Sequence, residues 1–165
     1  MRKPQVTVIG ASDDTLHINE AYEIGRYIGI SGFTLISGGR GGIMEAVSHG
    51  AKDAGGTVVG ILPGDSFSQA NEHCTIVIPT GIGFARNSMN VLSADIIIVI
   101  GGKSGTLSEL AYAWQYGIPV IACAFAQGWS QKIIHEPIDE RKGCRIFPAH
   151  NVEEVCSFLK DFFQN

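Results

Sequence analysis

With 165 residues, 45% of them hydrophobic and 17% charged, the chain is long enough to bury a substantial core and too apolar for a disordered segment. Its net charge of −4 argues against nucleic acid as a main partner, because binding a phosphate backbone needs a basic face, although a local basic pocket remains compatible with it. There is no signal-peptide pattern, no apolar run of membrane-spanning length and no Cys-x-x-Cys pair among Cys74, Cys123, Cys144 and Cys156, so the expectation is a soluble, cytoplasmic protein with free thiols.

In chain order, Gln5–Gly10 predicts a first strand ending in Gly10-Ala11-Ser12. Residues 13–15 offer capping groups to a helix whose Ala21, Ile24 and Ile28 follow the helical period, and Gly32 stops it. A second strand over 33–37 runs into Ser37-Gly38-Gly39-Arg40-Gly41-Gly42-Ile43-Met44, a glycine-rich strand-to-helix turn. Ile43, Val47, Ala51 and Ala54 share one face of the helix that follows, and Gly55-Gly56 ends it. A third strand over Thr57–Leu62 closes with Pro63-Gly64, and a polar loop over 65–72 leads to a fourth over 75–79. Gly81-Ile82-Gly83 then opens a short helical segment, 84–93, that carries Arg86-Asn87.

Ile96–Ile100 is an unbroken apolar run, the pattern of a strand buried on both faces of a parallel sheet. After it come Gly101-Gly102-Lys103-Ser104-Gly105-Thr106 and a helix with Leu107, Leu110, Ala111 and Trp114 at helical spacing. A strand that turns into a helix through small residues leaves backbone N–H groups at the positive end of the helix dipole, ready for a phosphate or another anion. Residues 119–123 predict a sixth strand, 124–145 a loop with one short helical turn, and 145–147 a last short strand. Asn151 with Glu154 marks the start of a final helix whose core side carries Val152, Val155, Leu159 and Phe162.

Strands alternating with helices predict a three-layer, doubly wound α/β sheet, mostly parallel, in a single domain over 1–165. No repeat, linker or low-complexity tract divides it. In such sheets ligands bind beyond the carboxyl ends of the strands, where the strand order reverses. The first, second, fourth and fifth strands all end in glycine-rich turns, so four loops should surround one cleft.

Two short motifs fail on inspection. Gly102-Lys103-Ser104 resembles the end of a P-loop, but its leading glycine would be Ile97; Gly81-Ile82-Gly83 opens like a dinucleotide fingerprint, but its third glycine would be Arg86. The histidines are scattered, with no metal-ligand spacing, so no metal site is expected. The anion-binding candidates are therefore the loops themselves. Gly10 and Ser12 follow the first strand; Ser37, Gly38, Gly39, Arg40 and Gly42 follow the second; Gly102, Lys103, Ser104, Gly105 and Thr106 follow the fifth. Arg86, whose planar fork suits phosphate or carboxylate, and Asn87 sit beyond the fourth.

Each has an alternative reading. Ser12 and Ser37 could serve their own turns, Arg40 could face a partner or water, and Lys103 could be a solvated turn residue. Glu109 is either the far end of a Thr106-x-x-Glu109 capping box or a carboxylate on the cleft floor, placed to activate water or steady a developing positive charge.

Taken together, Ser37-Gly-Gly-Arg-Gly-Gly-Ile-Met44, Gly56-Thr-Val-Val-Gly-Ile-Leu-Pro63, Arg86-Asn87 and Gly101-Gly-Lys-Ser-Gly-Thr-Leu-Ser-Glu109 resemble a Rossmann-like superfamily. It includes the LONELY GUY-type cytokinin phosphoribohydrolases and the molybdenum-cofactor carrier proteins, and some members were once labelled lysine decarboxylase-like. The hydrolase branch carries Pro-Gly-Gly-x-Gly-Thr-x-x-Glu and an Arg-Lys pair. Gly105, Thr106, Glu109 and Arg86 match that pattern here, whereas Gly101, Lys103 and Asn87 depart from it toward the carrier-type form.

The resemblance implies a binding or carrier protein for a nucleotide or molybdopterin-type ligand, with no required cofactor of its own. The alternative it implies is a nucleoside 5′-monophosphate phosphoribohydrolase using Glu109 and Arg86. It also implies a homo-oligomer, a dimer or tetramer, with helices beside the cleft at the interface.

Overall fold

The computed structural model describes residues 1–164. At its centre β1 (Gln5–Gly10) and β5 (Ile96–Ile100) pair in parallel, from Val6 opposite Ile96 to Gly10 opposite Ile100. Beside β1 lie β2 (Thr34–Ser37), β3 (Thr57–Leu62) and β4 (Ile76–Pro79); beside β5 lie β6 (Val120–Cys123) and β7 (Ile146–Ala149). The order is β4-β3-β2-β1-β5-β6-β7, and every pairing is parallel. The order reverses between β1 and β5.

Side-chain alternation along β5 divides the interior into two cores. Ile96, Ile98 and Ile100 pack with α1 (Ile18–Ile30), α2 (Ile43–Asp53) and α6 (Val152–Gln164). Ile97 and Val99 pack with α3 (Arg86–Leu92), α4 (Ser104–Tyr116) and α5 (Trp129–His135). This is the expected three-layer, doubly wound, Rossmann-like α/β sheet.

Not every glycine serves a loop. Gly25 in α1 and Gly50 in α2 let the two helices touch backbone to backbone, since a Cβ on Gly50 would lie 2.0 Å from the Tyr22 carbonyl oxygen. That contact fixes the two helices that follow the β1 and β2 loops.

Several boundaries differ from expectation. Helix α1 begins at Ile18; Asp14 accepts N–H bonds from Leu16 and His17 and so caps the turn before it, not the helix. In α4 the buried face carries Leu110, Ala113 and Trp114, while Leu107 and Ala111 are half-buried, because Thr106 and Glu109 occupy part of the inward stripe. The 124–145 stretch contains a seven-residue helix, α5, where one turn was expected. At α6 the Asn151 side chain accepts the Glu154 N–H as the sequence implied, but the Glu154 carboxylate reaches back to His150 N–H, one residue earlier than a capping box requires. Phe162 is exposed rather than core-facing. All four cysteines are free.

Candidate functional site

The loops after β1, β2, β4 and β5 line one hollow of about 170 Å³ above the carboxyl edge of the sheet. Gly10 and Ser12 come from the first loop, Gly38 and Arg40 from the second, Arg86 and Asn87 from the start of α3, and Lys103, Gly105, Thr106 and Glu109 from the fifth strand's turn and helix. Val8, Ile9, Ala11, Asp13, Met44 and Phe84 complete the lining. Ser37, Gly39, Gly42, Gly102 and Ser104 lie outside it.

Three of these have local roles. Ser37 is fully buried and its Oγ accepts the Gly39 N–H, so it serves its own turn. Gly42 lies under the β1 loop, where a Cβ would fall 2.4 Å from the Ala11 carbonyl oxygen. Gly102, at φ +101°, accepts the Trp129 N–H and ties the β5 turn to α5.

Arg86 is 9% exposed and reaches under the second loop, where Nη1 donates to Gly38 O at 2.7 Å and also to Ile61 O. Gly38 makes this approach available: a Cβ there would sit 2.5 Å from Arg86 Nη1. The buried Nε of Arg86 has no partner among the described residues. Burial lowers the guanidinium's affinity for its proton, Glu109 opposes that, and Arg40 adds to it. The group nonetheless stays charged.

Helix α4 begins at Ser104 with Lys103 as its N-cap and no side chain capping it. The N–H groups of a helix's first turn have no partner within the helix. Here Gly105 leaves that turn open, since a Cβ on it would meet nothing within 4 Å. Lys103 instead crosses the mouth of the cleft, its Nζ 2.6 Å from Asp13 Oδ2.

Glu109 does not close a capping box. Thr106 is already inside the helix, and Glu109 Oε1 accepts from Asn90 Nδ2 at 3.0 Å. The carboxyl is 8% exposed; burial raises it to about 7, with the Asn90 bond and the Arg86 charge pulling the other way. Asn87 Nδ2 donates to Ser108 Oγ, which in turn donates to Gly105 O, so Asn87 braces the first turn of α4.

Three residues that matter here escaped the sequence reading. Asn90 stands one helical turn after Arg86 on α3, an i, i+4 spacing that could have marked a shared face. Asp13 carries no local signal of its pairing with Lys103. Ser130 is fully buried in α5; its Oγ accepts the Gly101 N–H and donates toward Cys123 O and Ala126 O, fastening the β5 turn from the 124–145 stretch. Among the described residues, no group of three or more His, Cys, Asp or Glu side chains could hold a metal ion, and no helix is long and apolar enough to cross a membrane.

A parallel sheet with glycine loops converging at its switch point defines a Rossmann-like α/β domain. The chain belongs to the SLOG cluster4 family, whose model matches residues 3–156. The structure is similar to the molybdenum cofactor binding protein of Rippkaea orientalis, with a TM-score of 0.88 and 35% identity over 99% of both chains. It is also similar to the molybdenum cofactor carrier protein of Chlamydomonas reinhardtii, with a TM-score of 0.86 and 30% identity over 99% of this chain and 100% of that one. By sequence it is 34% identical over 100 residues to the cytokinin riboside 5′-monophosphate phosphoribohydrolase of Mycobacterium tuberculosis, covering 59% of this chain and 54% of that protein.

Proposed function

We propose that this protein binds a phosphorylated small molecule, a nucleotide or a molybdopterin-type compound, and holds it as a carrier rather than transforming it. One observation carries the reading: three basic side chains, Arg40, Arg86 and Lys103, and the open first turn of α4 surround a single hollow. Glu109 fits the same role. With its carboxyl raised to about 7, it is substantially protonated near neutral pH, and a neutral acid donates a hydrogen bond to a ligand oxygen instead of repelling it. The two molybdenum-cofactor proteins with near-complete overlap support this choice of ligand class.

Isothermal titration with AMP, GMP, ribose 5-phosphate and isolated molybdopterin tests it. Saturable binding of at least one is the expected result. No heat from any of the four overturns the reading.

A second reading rests on the same carboxyl. A buried acid near 7, beside Arg86, is suited to proton transfer at a glycosidic bond, and the mycobacterial relative is a phosphoribohydrolase. In that case Glu109 would help water attack the anomeric carbon, releasing free base and ribose 5-phosphate. Glu109→Gln would abolish release while retaining binding. If the wild type liberates no base from any nucleoside monophosphate, hydrolysis is excluded and the carrier reading stands alone.

The ligand is a small molecule rather than nucleic acid or a membrane, in keeping with the net charge of −4, and the place of action is the cytoplasm. The functional unit is a homo-oligomer. Ile82, Phe84, Met89 and Leu92 are exposed on and just before α3, beside the cleft, and Ile76 and Ile78 are exposed on the edge strand β4. An apolar surface of this kind is suited to a second copy of the chain.

A further inference from the structure

The hollow that holds Glu109 is small. About 170 Å³ falls below the roughly 300–1,000 Å³ of ordinary small-molecule pockets. Next to it lies a second hollow of about 570 Å³, formed by the residues after β1 and the loop between β6 and α5. The two share Ala11, Asp13 and Lys103. The wall between them is therefore Ala11 and the Lys103–Asp13 ion pair, whose side chains are 72% and 64% exposed. Exposed ion pairs are weakly held, and an incoming anion competes well for the lysine.

The second hollow differs in chemistry from the first. Leu16, 82% exposed, and Phe125 give it an apolar surface, the latter with its ring against His17 at 5.9 Å. Its polar groups include several without partners. Asp14 uses Oδ1 for the Leu16 and His17 N–H groups, leaving Oδ2 unbonded among the described residues. His17 has a buried Nδ1 with no partner, and Gln127 stands at the rim. An aromatic face, a carboxylate acceptor and an amide together suit a planar nitrogen heterocycle with an amino-pyrimidine edge.

We propose that the ligand spans both hollows: its phosphate enters the first, Lys103 exchanges Asp13 for that phosphate, and its heterocycle lies in the second against Phe125 and Leu16, with its amino edge toward Asp14. This rests on the phosphorylated-ligand reading and adds where the ring goes and what selects it.

Ribose 5-phosphate and GMP form the test pair, because GMP adds to the sugar phosphate a ring with that edge. Isothermal titration of the wild type should show GMP binding more tightly than ribose 5-phosphate. Leu16→Ser, at an exposed position that leaves the core untouched, and Phe125→Ala should each weaken GMP, by about 5- to 100-fold for the aromatic deletion, and leave ribose 5-phosphate unchanged. Lys103→Ala should weaken both probes by the same factor. If ribose 5-phosphate binds but the ring adds no affinity, or both ring-pocket variants bind GMP like the wild type, the two-hollow proposal falls while the phosphate site stands. If neither probe binds the wild type, this proposal falls, and the phosphate reading falls with it only where AMP and molybdopterin give no heat either.

Discussion

The Asn90 amide donates to Glu109 Oε1 across 3.0 Å, and both residues are nearly inaccessible to water. This bond between α3 and α4 moderates the state of the carboxyl on the cleft floor. It stabilises the charged form and so works against the burial that raises the group. Replacing Asn90 with Ala removes that help, and Glu109 should titrate above its present value of about 7. Carbon-detected NMR of the Glu109 side chain across pH 5–9 checks the shift; an unmoved or lowered midpoint would show that the amide is not what tunes it.

The same carboxyl makes stability depend on pH. Its proton is held more tightly in the folded chain, with a pKa of about 7, than in an ordinary glutamate at 4.5. The folded state therefore binds more protons through that window, and stability falls as pH rises through it. The contribution is fully present below the lower limit and lost above the upper one, a change on the order of 3 kcal/mol. Glu109→Gln cannot ionise and should lose this dependence. In urea titrations the variant should gain on the wild type between pH 5 and pH 8; equal differences at both pH values would contradict the assignment.

Arg86 supports the cleft as well as lining it. Its Nη1 joins the Gly38 carbonyl, just past β2, to the Ile61 carbonyl in β3. Arg86→Ala leaves both carbonyls without that donor and should cost about 2–4 kcal/mol. Arg86→Lys, a single rotatable ammonium, should recover part of the loss. Thermal unfolding of the three proteins gives the ranking; an alanine variant as stable as the wild type would mean that the arginine is held for its ligand alone.

The exposed residues of α3 offer a test of the proposed homo-oligomer. Met89 and Leu92 are 38% and 53% exposed on one short helix, and neither lines the cleft. Leu92→Asp should reduce the oligomer to monomer in sedimentation or light scattering while leaving the far-ultraviolet circular dichroism unchanged, since the side chain is not in a core. A wild type that is already monomeric at micromolar concentration removes this surface from the interface.

Much of the architecture was legible in the chain. Apolar runs such as Ile96–Ile100, followed by glycines, specify strands buried on both faces, and the loops after β1, β2, β4 and β5 line one hollow. These are local signals, carried by residues adjacent in sequence. Helix α5 was less legible because seven residues give too few turns for a period to stand out. Ser37 stays open between two readings in the sequence for a related reason: a serine before glycines has the same local pattern whether its hydroxyl faces a ligand or its own turn, and the fold shows it bonded to the Gly39 N–H.

The sequence by itself determined the strand-and-helix alternation, the parallel sheet and the edge where the glycine-rich loops gather, because each depends on spacing within a few residues. Only the tertiary structure decided which side chains meet there. Lys103 finds Asp13 from 90 positions away, and Glu109 finds Asn90 rather than its own helix's N–H groups. Those choices follow from how β1 and β5 lie side by side and how α3 and α4 pack on one face of the sheet. Burial then sets the proton affinity of Glu109, and burial belongs to the folded molecule rather than to any stretch of its sequence.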